Sequence, residues 1–174
     1  TFGVGQYRDL HTEACQELEV PRAQTLSKSE VSIRAACRET SLKGALRDAA
    51  KGGRFATVYL PEGCTLTLRN SLRVPSNVGI VGNGSKLRFT PNALSAEARA
   101  RGERRAAVSL SGVENVFLKD LLVEVLESEG DELSATDAVK LYHAKHVVLE
   151  GVAAYGAVGS QSAGVDVLGS EDIE

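Results

Sequence analysis

The stretch Val139-Lys140-Leu141-Tyr142-His143-Ala144-Lys145-His146-Val147-Val148-Leu149 decides the fold. It holds two short runs of alternating character, the second starting eight residues after the first. The same offset of eight recurs upstream, from Val108-Ser109-Leu110 to Val116-Phe117-Leu118, and downstream, from Val165-Asp166-Val167 to Ile173. A third alternation begins three residues after the second, as Leu121-Leu122-Val123 and Val152-Ala153-Ala154. A shorter, earlier copy reads Leu72-Arg73-Val74 and then Asn77-Val78-Gly79-Ile80. The leading valines lie 31 and then 26 residues apart, so the variation in length falls in one connection while the offset holds.

Period-two alternation marks strands with one buried face. Three such strands in every repeat of this length describe stacked coils. The sequence therefore predicts an all-β chain, a three-sheet solenoid in which each coil gives one strand to each parallel sheet. Val139, Leu141, Val147, Leu149, Val165 and Val167 point inward in that register. An antiparallel sandwich explains the alternation but not the recurring offset. Asn115, His146 and Asp172, each just before a second strand, form a predicted polar ladder at one turn.

Upstream, Ser41 to Lys51 carries Leu42, Ala45, Leu46, Ala49 and Ala50 at helical spacing. Thr40 or Ser41 is the expected N-cap and Gly52-Gly53 the stop, which makes this an amphipathic helix at the N-terminal end of the coils. The strand Ala56 to Leu60, the turn Pro61-Glu62-Gly63 and the strand Thr65 to Leu68 follow. Residues 1–40 form an extension whose structure the sequence leaves open. Leu10, Ala14 and Leu18 suit one short helix, and Ser27 to Arg38 suits a second helix or a strand. Ala93 to Arg105 reads as a polar insertion, helical up to Gly102.

The run ALRDAAKGGRFATVYLPEGCTLTL, followed by LRVPSNVGIVGNG, resembles the N-terminal portion of right-handed parallel β-helices of the pectin-lyase-like superfamily. The resemblance covers residues 41–174 and implies a cap helix followed by the first rungs. It is nearly silent on activity, because that fold carries many functions. It implies a polysaccharide as ligand or substrate, acting on the outer face of the first sheet, and it favours a secreted or exported protein. The other reading is a non-catalytic scaffold docked to a partner. The chain stops one residue into a second-sheet strand, so a C-terminal truncation is expected, with a polysaccharide or a partner chain stacked on an open last rung.

Composition narrows the classes. Lys and Arg number 20 against 23 Asp and Glu, a net charge of −3, which argues against nucleic-acid binding by bulk charge. No apolar run approaches the roughly 20 residues needed for a membrane-spanning helix. Cys15, Cys37 and Cys64 have no zinc-like spacing. One disulfide with one thiol, or three thiols, both remain compatible with the sequence. Asn83-Gly84-Ser85 is a glycosylation sequon, but a tight turn accounts for it. The surrounding glycines lack the spacing and the Lys of a phosphate loop.

Alternation places Ser109, Lys140 and Asp166 outward on the first sheet. They are the candidate carbohydrate-binding residues, with Lys140 and Asp166 neighbours across a rung. A base beside an acid suits sugar-lyase chemistry; the plainer reading is a surface ion pair. Ala135-Thr136-Asp137-Ala138-Val139 resembles the NTDG rung of polygalacturonases, which makes Asp137 a candidate catalytic carboxylate with Lys140 and Asp166. Hydrolysis needs a second carboxylate at defined separation. Ser162-Ala163 stands where the family has its acid pair, so polygalacturonase activity is not expected and Asp137 reads chiefly as a turn residue.

His143 and His146 are three apart, but the polar ladder explains His146 without a metal. No metal site is assigned. Glu127, Glu129, Asp131 and Glu132 offer oxygen ligands of the kind Ca²⁺ takes, without EF-hand spacing, and read as a solvated loop. Arg99, Arg101, Arg104 and Arg105 lack the interleaved aromatics of a base-stacking surface. Phe117, Leu122 and Val148 are outward yet apolar, which marks them as partner-facing or covered by another part of the chain.

Overall fold

The computed structural model describes residues 31–91, 105–126, 136–156 and 162–174. Expectations for Cys15 and the rest of residues 1–30, for the insertion at 92–104 and for the acidic loop from Glu127 to Glu132 lie outside the described residues. Of the described residues 58% are strand and 11% helix.

The chain order is β1 (Val31–Arg34), α1 (Glu39–Lys51), β2 (Ala56–Tyr59), β3 (Thr65–Leu68), β4 (Leu72–Arg73) and β5 (Val78–Phe89). It continues with β6 (Arg105–Ser111), β7 (Glu114–Val125), β8 (Thr136–Tyr142), β9 (Lys145–Glu150), β10 (Ala153–Tyr155), β11 (Val165–Leu168) and β12 (Glu171–Ile173). One sheet runs β4-β6-β8-β11; the other runs β1-β2-β5-β7-β9-β12, with β3 on β5 and β10 on β7. All ladders among the described residues are parallel. The antiparallel sandwich is thereby set aside.

The register is the one the repeat predicts. Leu72, Val108, Val139 and Val165 stand opposite one another in the four-stranded sheet. Ala56, Val78, Val116, Val147 and Ile173 do so in the other. In the β5–β7 ladder the register shifts between Val81 and Ser85, dividing the eight-stranded sheet into two arms. One arm holds β1, β2, β9 and β12; the other holds β3 and β10, so the described strands form two parallel sheets where three were expected. Parity forces like onto like across the ladders, so Val58, Ile80, Leu118 and Leu66, Leu87, Val123 all fall in the buried core.

The corners explain themselves through left-handed backbone. Asn77, Asn115, His146 and Asp172 take φ of 58°, 55°, 50° and 52°, each just ahead of one of the register mates Val78, Val116, Val147 and Ile173. Asn, Asp and His are the non-glycine types that tolerate this region best. Asn115 Nδ2 donates to Asn77 Oδ1 at 2.9 Å, so the predicted ladder forms at that step. At the other corner Asn83 (φ 51°) donates its side-chain amide to Leu60 O at 2.8 Å. Ser85 is buried and donates to Pro61 O at 2.7 Å. The Asn-Gly-Ser triplet thus serves a turn inside a strand.

Helix α1 buries Leu42, Ala45, Leu46 and Ala49, while Ala50 is exposed. Its cap differs from expectation: Arg38 is the N-cap residue, with no side-chain cap bond. The Ser41 hydroxyl instead accepts from Ala36 N at 2.8 Å, holding the turn ahead of the helix. Glu39, in the first turn where an acid suits the helix dipole, pairs with Lys43 and accepts from Arg69 N and Asn70 N. Burial works to raise its pKa. The Lys43 hydrogen bond and charge, with the two backbone donors, outweigh that and hold it below the usual glutamate value. A disulfide joins Cys37 to Cys64, with Cα atoms 5.9 Å apart. It ties the approach to α1 to the approach to β3.

Three of the six inward residues, Val139, Leu141 and Val147, are fully buried, and Leu149 is half-buried. Val165 and Val167 are 42% and 45% exposed, contrary to expectation. Their strand β11 pairs with β8 along one edge, and no strand among the described residues flanks its other edge.

Candidate functional site

The outer face of the four-stranded sheet carries one column of polar side chains, Arg73, Ser109, Lys140 and Asp166, in register across β4, β6, β8 and β11. Each sits between two inward-facing neighbours, so period two fixes its direction. Lys140 Nζ lies 3.9 Å from Asp166 Oδ2, with side chains only 20% and 15% exposed. The pair predicted from the sequence is therefore formed, and it is more sheltered than an ordinary surface bridge. Two residues along β8, on the same face, Tyr142 is 45% exposed, beside Leu168 of β11.

Sequence reasoning did not assign Arg73 or Tyr142 to this face. The signal was present: Arg73 is the register mate of Ser109, and Tyr142 is two residues from Lys140 in an alternating strand. A tyrosine offers an apolar ring with a polar tip.

Asp137 belongs to a different column. It lies within β8 rather than in a turn, is fully buried, and accepts from Ala163 N at 2.8 Å through Oδ1. The neighbouring Thr136 N donates to Ser162 Oγ at 2.9 Å. Asp137 and Ser162 thus fasten the segment leading into β11 onto β8. Ser162 and Ala163 are thereby used for backbone tethering.

His143 (φ 50°) occupies a left-handed position after β8 that Gly112 and Gly169 fill after the neighbouring strands β6 and β11. Its Nδ1 lies 3.2 Å from Gly169 O, and its ring meets Tyr142 edge-on at 4.2 Å. A Cβ on Gly169 would fall 2.8 Å from that ring, which explains the glycine there. His146 Nδ1 lies 3.2 Å from Asp172 Oδ2, both exposed. Among the described residues no group of three or more His, Cys, Asp or Glu is placed to hold a metal ion.

The three apolar outward residues are half-buried. Phe117 lies over Gly79, where a Cβ would come within 2.2 Å of its ring, and stacks on Phe55 at 5.7 Å. This part of the apolar outer face is covered by the chain itself. Leu122 lines a shallow corner with Gly84, Asp120 and Gly151. Val148 is the register mate of Phe117.

Among the described residues no helix is long and apolar enough to cross a membrane. Compared with known proteins, the chain matches no family model and no curated protein sequence.

Proposed function

We propose that this chain is part of a right-handed parallel β-helix that binds polysaccharide on the outer face of its four-stranded sheet. Three supports carry the fold reading: the parallel ladders, the two arms of the larger sheet, and the strong right-handed preference of parallel crossovers. The resemblance of residues 41–174 to pectin-lyase-like proteins adds to it. The Cys37–Cys64 disulfide fits a secreted or exported protein.

The observation that carries the functional reading is the in-register column Arg73, Ser109, Lys140 and Asp166, with Tyr142 beside it. Hydroxyl, ammonium and carboxylate groups would bind sugar hydroxyls, and the tyrosine ring would cover a sugar face. Binding rather than hydrolysis is favoured, since Asp137 is buried and engaged with Ala163 N. A Ca²⁺-assisted step is not part of this reading. A second reading, a rigid scaffold docked to a partner, is favoured by the sheltered Lys140–Asp166 pair, whose opposite charges offset each other.

Affinity gel electrophoresis against a panel of plant, algal and bacterial polysaccharides tests this. Retardation by at least one polymer, reduced tenfold or more by Tyr142→Ala and by Lys140→Ala, is expected. Unretarded migration through the whole panel sinks the glycan reading and leaves the scaffold.

A further inference from the structure

Alternation turns Phe55, Thr57 and Tyr59 outward at β2, with Gly79 and Val81 on β5, Phe117 on β7 and Val148 on β9. Ser32, Thr57, Gly79, Phe117 and Val148 stand in one column across five strands of the larger sheet. Phe55, Tyr59, Val81, Phe117 and Val148 are half-buried, and Thr57 is fully buried although it faces outward. The other outer faces differ. The four-stranded sheet presents Arg73, Lys140 and Asp166, and the arm with β3 and β10 presents Lys86, Arg88 and Glu124. An apolar outer face on parallel strands calls for cover.

The chain itself supplies a segment that fits. Thirty residues precede β1, and β1 is the outermost strand of this same arm, so they reach the sheet at the side of the apolar columns. Within them, Arg8 to Glu19 carries Leu10, Ala14 and Leu18 four residues apart, one apolar stripe on a largely polar run. In helical form these twelve residues would measure about 18 Å. The strands β2, β5, β7 and β9 together span about 14 Å. Val20 to Glu30 can extend to about 36 Å, enough to bring the segment back over the face. The segment carries one arginine against four acidic residues. Arg34, exposed on β1 in register with Tyr59, offers a cation at the rim.

We propose that the segment Arg8 to Glu19 docks across the apolar outer face of β2, β5, β7 and β9. Leu10, Ala14 and Leu18 lie against Val81, Phe117 and Val148, and the acidic side turns toward Arg34. This contact is separate from the glycan reading, which uses the outer face of the four-stranded sheet.

Cysteine trapping in the full chain tests it. Cys15 lies beside the stripe, and the chain has no further cysteine to pair with it once Cys37 and Cys64 are joined. Under copper phenanthroline and air, Val148→Cys should link to Cys15 within one chain at least tenfold faster than Ser109→Cys on the other sheet. Links between two chains, or equal rates for the two variants, overturn the inference. Hydroxyl-radical footprinting reads the face directly. The double variant Leu10→Asp, Leu18→Asp should raise labelling of Phe117 and Val148 at least fivefold, while Leu118 in the core stays protected. Unchanged labelling at Phe117 and Val148 overturns the inference, and so does an equal rise at Leu118, which reports unfolding instead of undocking.

Discussion

Val139 and Val165 stand opposite each other in one ladder, point the same way and belong to the same repeat. One is fully buried and the other 42% exposed. The contrast extends to whole regions. Near α1, the inward residues of β2, β3 and β5 are sealed by the helix and by neighbouring strands. At β11 and β12 the strands have one ladder partner each; Val165, Val167 and Leu168 face water, and Ile173 is half-buried. Register and burial are therefore separate properties in stacked parallel strands. Register comes from pairing with one neighbour; burial needs cover from both sides.

The largest expected effect lies in the sealed region. Leu118→Ala should lower unfolding stability by about 2–5 kcal/mol, the range for a fully enclosed leucine. Val167→Ala on exposed β11 should lower it by less than about 1 kcal/mol. Urea denaturation measures both, and equal losses would remove the distinction between the two regions.

The Cys37–Cys64 link comes next. Its sequence separation of 27 residues predicts a loss of about 2–4 kcal/mol in the double Cys→Ser variant. Amide exchange should accelerate most in β1, α1 and β3, with β11 and β12 changed least. Uniform acceleration along the chain would mean that the two regions unfold as one unit.

Gly79→Ala should destabilise by about 1–3 kcal/mol. The new methyl meets the Phe117 ring, and the ring must leave its stack on Phe55. Gly44→Ala on α1 has open space around the added methyl and should stabilise by roughly 0.5–1 kcal/mol through helix propensity. Thermal melts showing both variants shifted in the same direction would refute the packing account.

Glu39 gives the pH test. Its carboxyl is held below the usual glutamate value in the folded state. The unfolded chain therefore takes up the proton first as pH falls. Its stabilising contribution is complete above the ordinary glutamate pKa and disappears as pH drops through the lower folded one. Glu39→Gln should flatten the acid limb of the stability curve, most visibly for exchange in α1, with β11 and β12 unaffected. An unchanged acid limb would remove Glu39 from the account.

The smallest effect belongs to the exposed ladder. His146 and Asp172 extend the column begun by Asn77 and Asn115. His146→Asn should shift stability by under about 0.5 kcal/mol, because asparagine also tolerates the left-handed backbone and exposed ion pairs contribute little. A loss above about 1 kcal/mol would show that the imidazole carries more than a turn.

The sequence by itself determined the strands of the repeat, their direction and their register. An offset of eight repeated at Val108, Val139 and Val165 can be satisfied only if like residues stack, because a one-residue slip would turn every valine outward. It also placed Lys140 beside Asp166 and set polar residues at the corner that requires left-handed backbone. Tertiary structure decided what local pattern cannot encode. It buried Asp137 against Ala163 rather than presenting it in a turn, and laid Phe117 over Gly79. It paired Cys37 with Cys64, and it brought Lys86 and Arg88 of β5 beside Glu124 of β7. Each of these contacts joins residues more than twenty positions apart, whose side chains meet only through the packing of whole elements. Periodicity reports the face a residue occupies; what covers that face depends on which distant segment arrives there.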